Sequence, residues 1–245
     1  MKPFLLILLI MIIVSSACVN NQKNKNSKNE SEVTVDSIVV AKKVFESNPS
    51  LIEYEVPVFR GTNMKHGVQK RFYQHGSLYS EIPYSYGKRQ GVAYTYYPDV
   101  AKVKPVVWKE QTYKNDALNG ICNRYHKNGV LQAEYEYKDG LTAIGLKEFK
   151  DSGKPVKLPD LIVNSNRAGA NIYITAQLSN KAKKVDFYLG DLVEGKYLPD
   201  GLKGLQVVRG LGEVLVPVDT KSVTITAVYF TQYRNKYIVS KTITL

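Results

Sequence analysis

The chain holds two cysteines and three histidines, the residue types that most often bind zinc or serve as nucleophile and base. A zinc site built on cysteine needs more thiolates than Cys18 and Cys122 supply, and two cysteines make no disulfide framework. His66, His75 and His126 show neither a His-x-x-x-His spacing nor a His–Glu pairing of the kind that binds zinc. No Gly-x-Ser-x-Gly elbow presents a serine. The glycines of Gly201-Leu-Lys-Gly204 and Arg209-Gly-Leu-Gly212 do not open a helix whose N-terminus would cradle phosphate, so they read as loop residues. Three carboxylates at matching places, Glu81, Glu110 and Glu134, are suited either to a cation or basic partner or to cross-strand pairing. Pairing with neighbours such as Arg71, Lys109 and Arg124 on an exposed sheet face is the reading adopted. The expectation is a protein that is not an enzyme, with no cofactor and no metal.

The elements that position these residues start at the N-terminus. Lys2 precedes an apolar run from Phe4 to Val14, and Ser15-Ser16-Ala17-Cys18 follows. This is the three-part build of a secretory signal, and the run is too short to span a bilayer comfortably. The stretch Ser-Ser-Ala-Cys resembles the lipobox of bacterial lipoproteins, with small residues before the cut and cysteine first in the mature chain. The resemblance implies residues 1–17 as a signal peptide and a diacylglycerol on the Cys18 sulfur, because a single acyl chain holds a protein to a membrane only marginally. An ordinary secretory signal cut near Ala17, or an uncleaved anchor, are the other readings. From Val19 to Glu32 nearly every residue is Asn, Gln, Lys, Ser or Glu, so residues 18–50 read as a lipidated cysteine and disordered tether.

Residues 51–158 repeat. From Gly67 the chain reads Phe72-Tyr73, His75-Gly76, Leu78, Glu81, Tyr84 and Gly87. From Gly120 the same spacings bring Tyr125-His126, Asn128-Gly129, Leu131, Glu134, Tyr137 and Gly140. A middle copy from Gly91 holds Tyr96-Tyr97, Val107, Glu110, Tyr113 and Asp116, with five extra residues around Ala101–Pro105. A truncated fourth copy keeps Phe149 and Asp151-Ser152-Gly153. The turn dipeptides and the alternation between them predict hairpins in a long antiparallel meander with aromatic ladders. Alternation places Leu78, Ser80, Ile82 and Tyr84 on one face and Tyr79, Glu81 and Pro83 on the other. These units resemble the variant MORN repeat of bacterial lipoproteins and antitoxin-like proteins. The resemblance implies the architecture, and for function only a scaffold or binding role, with an antitoxin or immunity role as a family label.

If the aromatic ladder binds something, Tyr73, Tyr79, Tyr97 and Trp108 are the candidates, because alternation sets them opposite the apolar face; the commoner use of such a ladder is to hold a one-layer sheet together. Cys122 falls in the slot filled by Gln69 and Ala93, a small repeat residue rather than a placed nucleophile.

After the short linker Lys154–Pro159 the repeat stops. About seven alternating segments over 159–245 predict a small β-sandwich, similar to an immunoglobulin-like domain in strand count, with a partly open barrel as the alternative. The fold class expected is therefore all-β: a β-meander of MORN-type hairpins followed by an Ig-like β-sandwich. The formal charge of +12 is dispersed along the chain, which together with export argues against nucleic acid as a partner. The expected role is a non-catalytic binding or scaffold module of the cell envelope, periplasmic or at the cell surface, held to a membrane by its lipid anchor. An envelope protein or a glycan, the latter met by the Tyr-rich face, is the expected partner.

Overall fold

The computed structural model describes residues 37–101 and 104–245. The signal segment, Cys18 and the tether up to residue 36 lie outside the described residues. Every regular element among the described residues is a strand, and every pairing is antiparallel.

The first part is a 12-stranded sheet. Its long strands are β1 (Ile38–Phe45), β2 (Asn48–Phe59), β3 (Gly67–Phe72) and β4 (Leu78–Ser85), and then, after the two-residue β5 (Lys88–Arg89), β6 (Gly91–Tyr96) and β7 (Val107–Lys114). The two-residue β8 (Ala117–Leu118), β9 (Gly120–Tyr125), β10 (Leu131–Lys138), β11 (Leu141–Thr142) and β12 (Lys147–Glu148) complete it. Residues 38–50, expected as the end of the tether, instead form β1, a turn and the start of β2. Val39, Val44 and Phe45 give β1 enough apolar surface to pair along the whole of β2, and only the Asn- and Lys-rich stretch before residue 33 lacks it.

The hairpin turns repeat in detail. Tyr73 N–H bonds Ser77 C=O, His126 bonds Val130 and Lys150 bonds Lys154, each at 2.8 Å, so the truncated fourth copy keeps the turn. The return turns have both central residues left-handed, at Tyr86-Gly87, Asn115-Asp116 and Asp139-Gly140, the form that matches strand twist. The middle copy has lost the glycine there, and Arg89 compensates: its backbone N–H, at 2.9 Å, and its guanidinium both bond the Asp116 carboxylate.

One residue per copy is a bulge. The register slips between Arg71 and Phe72, between Thr95 and Tyr96, and between Leu131 and Ala133. Tyr79, Trp108 and Gln132 are the extra residues. Two sets of hydrogen bonds tie consecutive copies together at this level. The second aromatic position bonds the main chain of the next copy: Tyr73 Oη to Tyr96 O at 2.9 Å, Tyr97 Oη to Tyr125 O at 2.7 Å, His126 Nε2 to Phe149 O at 2.9 Å. The first position donates its hydroxyl to the glutamate of the previous copy: Tyr96 to Glu81 at 2.7 Å and Tyr125 to Glu110 at 2.8 Å. Phe149 has no hydroxyl, and Glu134 takes Lys147 at 2.6 Å instead.

The second part is a sandwich of two four-stranded sheets. One has the order β13 (Leu161–Ala168), β14 (Asn171–Leu178), β18 (Leu211–Pro217), β17 (Gln206–Val208). The other has the order β16 (Lys203–Gly204), β15 (Val185–Leu189), β19 (Ser222–Phe230), β20 (Lys236–Thr244). Alternate residues of the facing strands, among them Ile174, Leu178, Phe187 and Ile225, fill one apolar core, as two packed sheets require. A closed sandwich rather than a barrel results.

The Phe187 ring lies directly over Gly212, where a Cβ would come within 2.6 Å of Cδ2. Gly212→Ala is expected to lower unfolding stability by about 1–3 kcal/mol in urea titration, while Gly204→Ala, with open space around it, stays near wild type. A second expectation concerns alkali. Burial raises the phenols of Tyr73, Tyr97, Tyr135, Tyr137 and Tyr237; burial and then the bond to a glutamate raise Tyr96, and push Tyr125 up to about 12. The folded state thus favours neutral phenol. That stabilisation is full below pH 10 and is lost as pH climbs through the folded values. Spectrophotometric titration should show these tyrosines ionising late, together with unfolding.

Candidate functional site

Cross-strand pairing divides the sheet into two faces with different chemistry. One row runs Lys42, Glu55, Lys70, Glu81, Tyr94, Glu110, Asn123, Glu134, Lys147 in register across successive strands. The glutamate ladder lies in this row, and its cationic neighbours are Lys70, 3.8 Å from Glu81, and Lys147. Arg71, Lys109 and Arg124, expected as its partners, belong instead to the adjacent row, Tyr54, Arg71, Ser80, Thr95, Lys109, Arg124, Ala133, Glu148. Adjacent residues of a strand point to opposite faces, so these cations serve the other side. The ladder face also shows solvent the aliphatic side chains of Val68, Val92 and Ile121.

The bulge corrects the expected placement of the aromatic candidates. Two residues of the bulged strand oppose one on its partner. Tyr79 therefore joins Ser80, not Glu81, and Leu78 passes to the face of Phe72, with which it pairs. Tyr73, Tyr79, Tyr97 and Trp108 accordingly share the face of the small buried residues Ser80, Ala93 and Cys122, not the face opposite. The structure brings them together in two equivalent clusters. Tyr73 meets Tyr79 edge-on at 5.0 Å, with the Arg71 guanidinium 5.0 Å over the Tyr79 ring. Tyr97 lies 6.0 Å from Trp108, whose ring carries Lys109 Nζ at 4.1 Å and the Arg124 guanidinium at 5.7 Å. Tyr73 and Tyr97 spend their hydroxyls on the next copy, and cations cover Tyr79 and Trp108. These contacts give all four residues a place in the repeat's own framework.

In the third copy the equivalent place is filled by the sandwich. His126 meets the Tyr233 ring edge-on at 5.5 Å. Arg124 donates to Tyr233 O and, at 2.6 Å, to Asn235 Oδ1. The Asn235 amide passes the chain of bonds on to Glu148, which also accepts from Thr231, both at 2.6 Å. Glu148 is only 2% exposed. A carboxylate buried so fully has to be hydrogen-bonded, and removing a partner is costly. Sequence reading missed this network. Its signal was Glu148 itself, which stands just before the repeat aromatic where the other copies have Arg71, Thr95 and Arg124.

The loop before β16 makes a second junction. Ile144 N–H bonds Lys196 O and Leu198 N–H bonds Thr142 O, each at 2.9 Å. Lys196 Nζ and Tyr197 Oη hold the Glu136 carboxyl below the usual carboxylate range. Lys138 pairs with Glu194.

Between the two junctions lies a cleft of about 340 Å³, walled by β7, β9 and β10 on one side and by the β19–β20 turn on the other. Lys109, Arg124, Arg234 and Lys236 line it, and no Asp or Glu does. Burial, and then the like charge of Arg124, hold the Lys109 ammonium below its ordinary range. The cleft concentrates positive charge that the dispersed sequence charge did not announce.

The residues read as chemically idle in sequence are structurally accounted for. Cys122 is fully buried under its repeat neighbours, and burial pushes its thiol up. His75 bonds Ser77 at 2.7 Å, and His66 sits against Phe59 and Tyr86. Among the described residues no group of three or more His, Cys, Asp and Glu side chains could hold a metal ion.

Comparison with known proteins matches residues 65–86 and 118–139 to the variant MORN repeat. These are the first and third copies, and the match suggests a binding or scaffold module. No curated protein and no solved structure matches the chain.

Proposed function

We propose that this chain is a lipid-anchored scaffold of the bacterial cell envelope that docks a partner protein on the ladder face of its repeat sheet. The observation that carries this is the character of that face. A half-buried polar row, alternating in charge from Lys42 to Glu81 and carrying Glu110, Glu134 and Lys147 beyond, is flanked by Val68 (44% exposed), Val92 (36%) and Ile121 (46%). Exposed aliphatics set among ordered charges favour a protein partner over bare solvent. The two junctions support the reading by packing the sheet and sandwich into one compact unit.

The sandwich supports it as well. Its sheet orders, first-second-sixth-fifth strand and fourth-third-seventh-eighth strand, are those of an immunoglobulin-type sandwich, with strands A, B, E and D on one side and C, F and G on the other,. That architecture is widely used as a display unit, an argument from fold alone. The anchor rests on the apolar run, the small residues before Cys18 and the polar stretch after it.

Two measurements test the proposal. Metabolic labelling with a fatty-acid analogue should mark the wild-type chain and not Cys18→Ser; label that persists on the variant removes the anchor. In intact cells, chemical crosslinking of the full chain should give a discrete adduct that Val92→Lys with Ile121→Lys abolishes. An adduct unchanged by that double variant places the partner elsewhere.

A further inference from the structure

The cleft between the repeat sheet and the sandwich has features that the scaffold reading does not use. Lys109 and Arg124 come from neighbouring strands of the sheet, paired in register. Arg234 and Lys236 come from the turn that packs on them, more than 100 residues away in sequence. Packing brings four cations to one opening, and no carboxylate is among the lining residues. Like charges gathered this way repel, and the only structural contact of the Lys109 ammonium among the described residues is the Trp108 ring at 4.1 Å, which offers it no counter-charge. Neither Lys109 nor Lys236 makes an ion pair among the described residues, whereas Lys70, Lys138, Lys147 and Lys196 on the same sheet and loop all do.

Two further observations point to a ligand. The Arg124 Nε–H is buried and has no hydrogen-bond partner, although its terminal nitrogen is held by Asn235. A buried charged donor left unmatched is rare in a finished structure. At the rim Phe230 leaves 61% of its surface exposed, a large apolar ring beside a cationic opening.

The remaining wall supplies neutral groups. Gln111 and Thr142 offer amide and hydroxyl donors and acceptors, and the Tyr135 ring gives the floor an aromatic surface. Small-ligand sites combine these three ingredients: concavity, apolar surface and a few convergent polar groups. Cations answer an acidic group, amides and hydroxyls answer alcohols, and aromatic rings answer the C–H face of a pyranose. The volume admits one or two sugar rings. An extended acidic peptide would need a longer groove and has no use for the aromatic floor.

We infer that the seam between the repeat sheet and the sandwich binds an anionic sugar, a carboxylated or phosphorylated saccharide unit. Lys109, Arg124 and Lys236 face its acid group and Phe230 its ring. This site shares Lys109 and Arg124 with the Trp108 cluster but lies on the face opposite the ladder, so it stands or falls independently of the partner-docking reading.

Calorimetric titration of the full chain in detergent tests it, with glucuronate, glucose 6-phosphate, glucose and a triglutamate peptide as probes. At least one anionic sugar is expected to bind with Kd below about 1 mM, and glucose is not. Glucuronate alone assigns a carboxylate site and glucose 6-phosphate alone a phosphate site. Lys109→Gln combined with Lys236→Gln should weaken binding at least about tenfold, and Lys109→Arg should retain it. Lys70→Gln, which removes the same charge from the opposite face, should leave it unchanged; circular dichroism checks that each variant is folded. Failure of both anionic sugars to bind, equal binding of glucose, tighter binding of the peptide, or wild-type affinity in the double variant would each overturn the assignment.

Discussion

A one-layer sheet has no second layer to hold its hairpins in register, and this molecule solves that problem with a single bulged residue per copy. At Tyr79, Trp108 and Gln132 the strand carries one residue more than its partner. The flanking aromatic pair lies on the unbulged strand, and as adjacent residues its two members look to opposite faces. One reaches back to the glutamate of the previous copy, and the other reaches forward to the next copy's main chain. Each hydrogen bond is worth only about 1 kcal/mol net. Repeated from copy to copy, they link hairpins that would be marginal alone. The register slip selects which side chains of the bulged strand sit on which face.

The sandwich continues this logic with different atoms. In the third copy the place occupied elsewhere by an aromatic cluster is taken by the β19–β20 turn, and Asn235 bridges an arginine and a glutamate that lie in one cross-strand row. A buried polar junction of this kind is weak evidence for stability, because desolvation offsets much of the Coulomb gain. Its effect here is geometric. The turn docks where Asn235 reaches both Arg124 and Glu148 while Thr231 reaches Glu148, and that docking sets the width of the seam.

Much of this was legible in the sequence, and the parts that were not share a cause. The hairpin spacing, the truncated fourth copy and the sandwich strands from Asn171 onward all follow from local turn chemistry and period-two alternation. Strict alternation misplaced Tyr79 and Leu78, since one inserted residue inverts the pattern for everything beyond it and leaves no mark in composition. Residues 38–50 do not read as strand in sequence because the pairing of Val39 and Val44 with β2 depends on a partner strand. The ladder partners were wrong because Arg71 and Arg124 are adjacent in sequence to the residues that face the glutamates, and adjacency in a strand means opposite faces.

The seam was the least legible feature, and the reason bears on how binding sites arise in fused β-proteins. Lys109 in isolation is one of many lysines, and Arg234 is a loop residue in a left-handed turn. Charge counted along the chain averages them into a uniform surplus. Packing undoes the average: it brings Lys109 next to Arg124 and sets the 234–236 turn across from both, while the carboxylates nearby are already committed. Glu148 is held by Asn235 and Thr231, and Glu136 by Lys196 and Tyr197. A cleft becomes cationic by this accounting of partners as much as by its own residues. Junctions that consume their carboxylates in hydrogen-bonded networks leave the neighbouring cations without counterions, and a cleft at such a junction is where an anionic ligand recovers the electrostatic energy that the fold has left unspent.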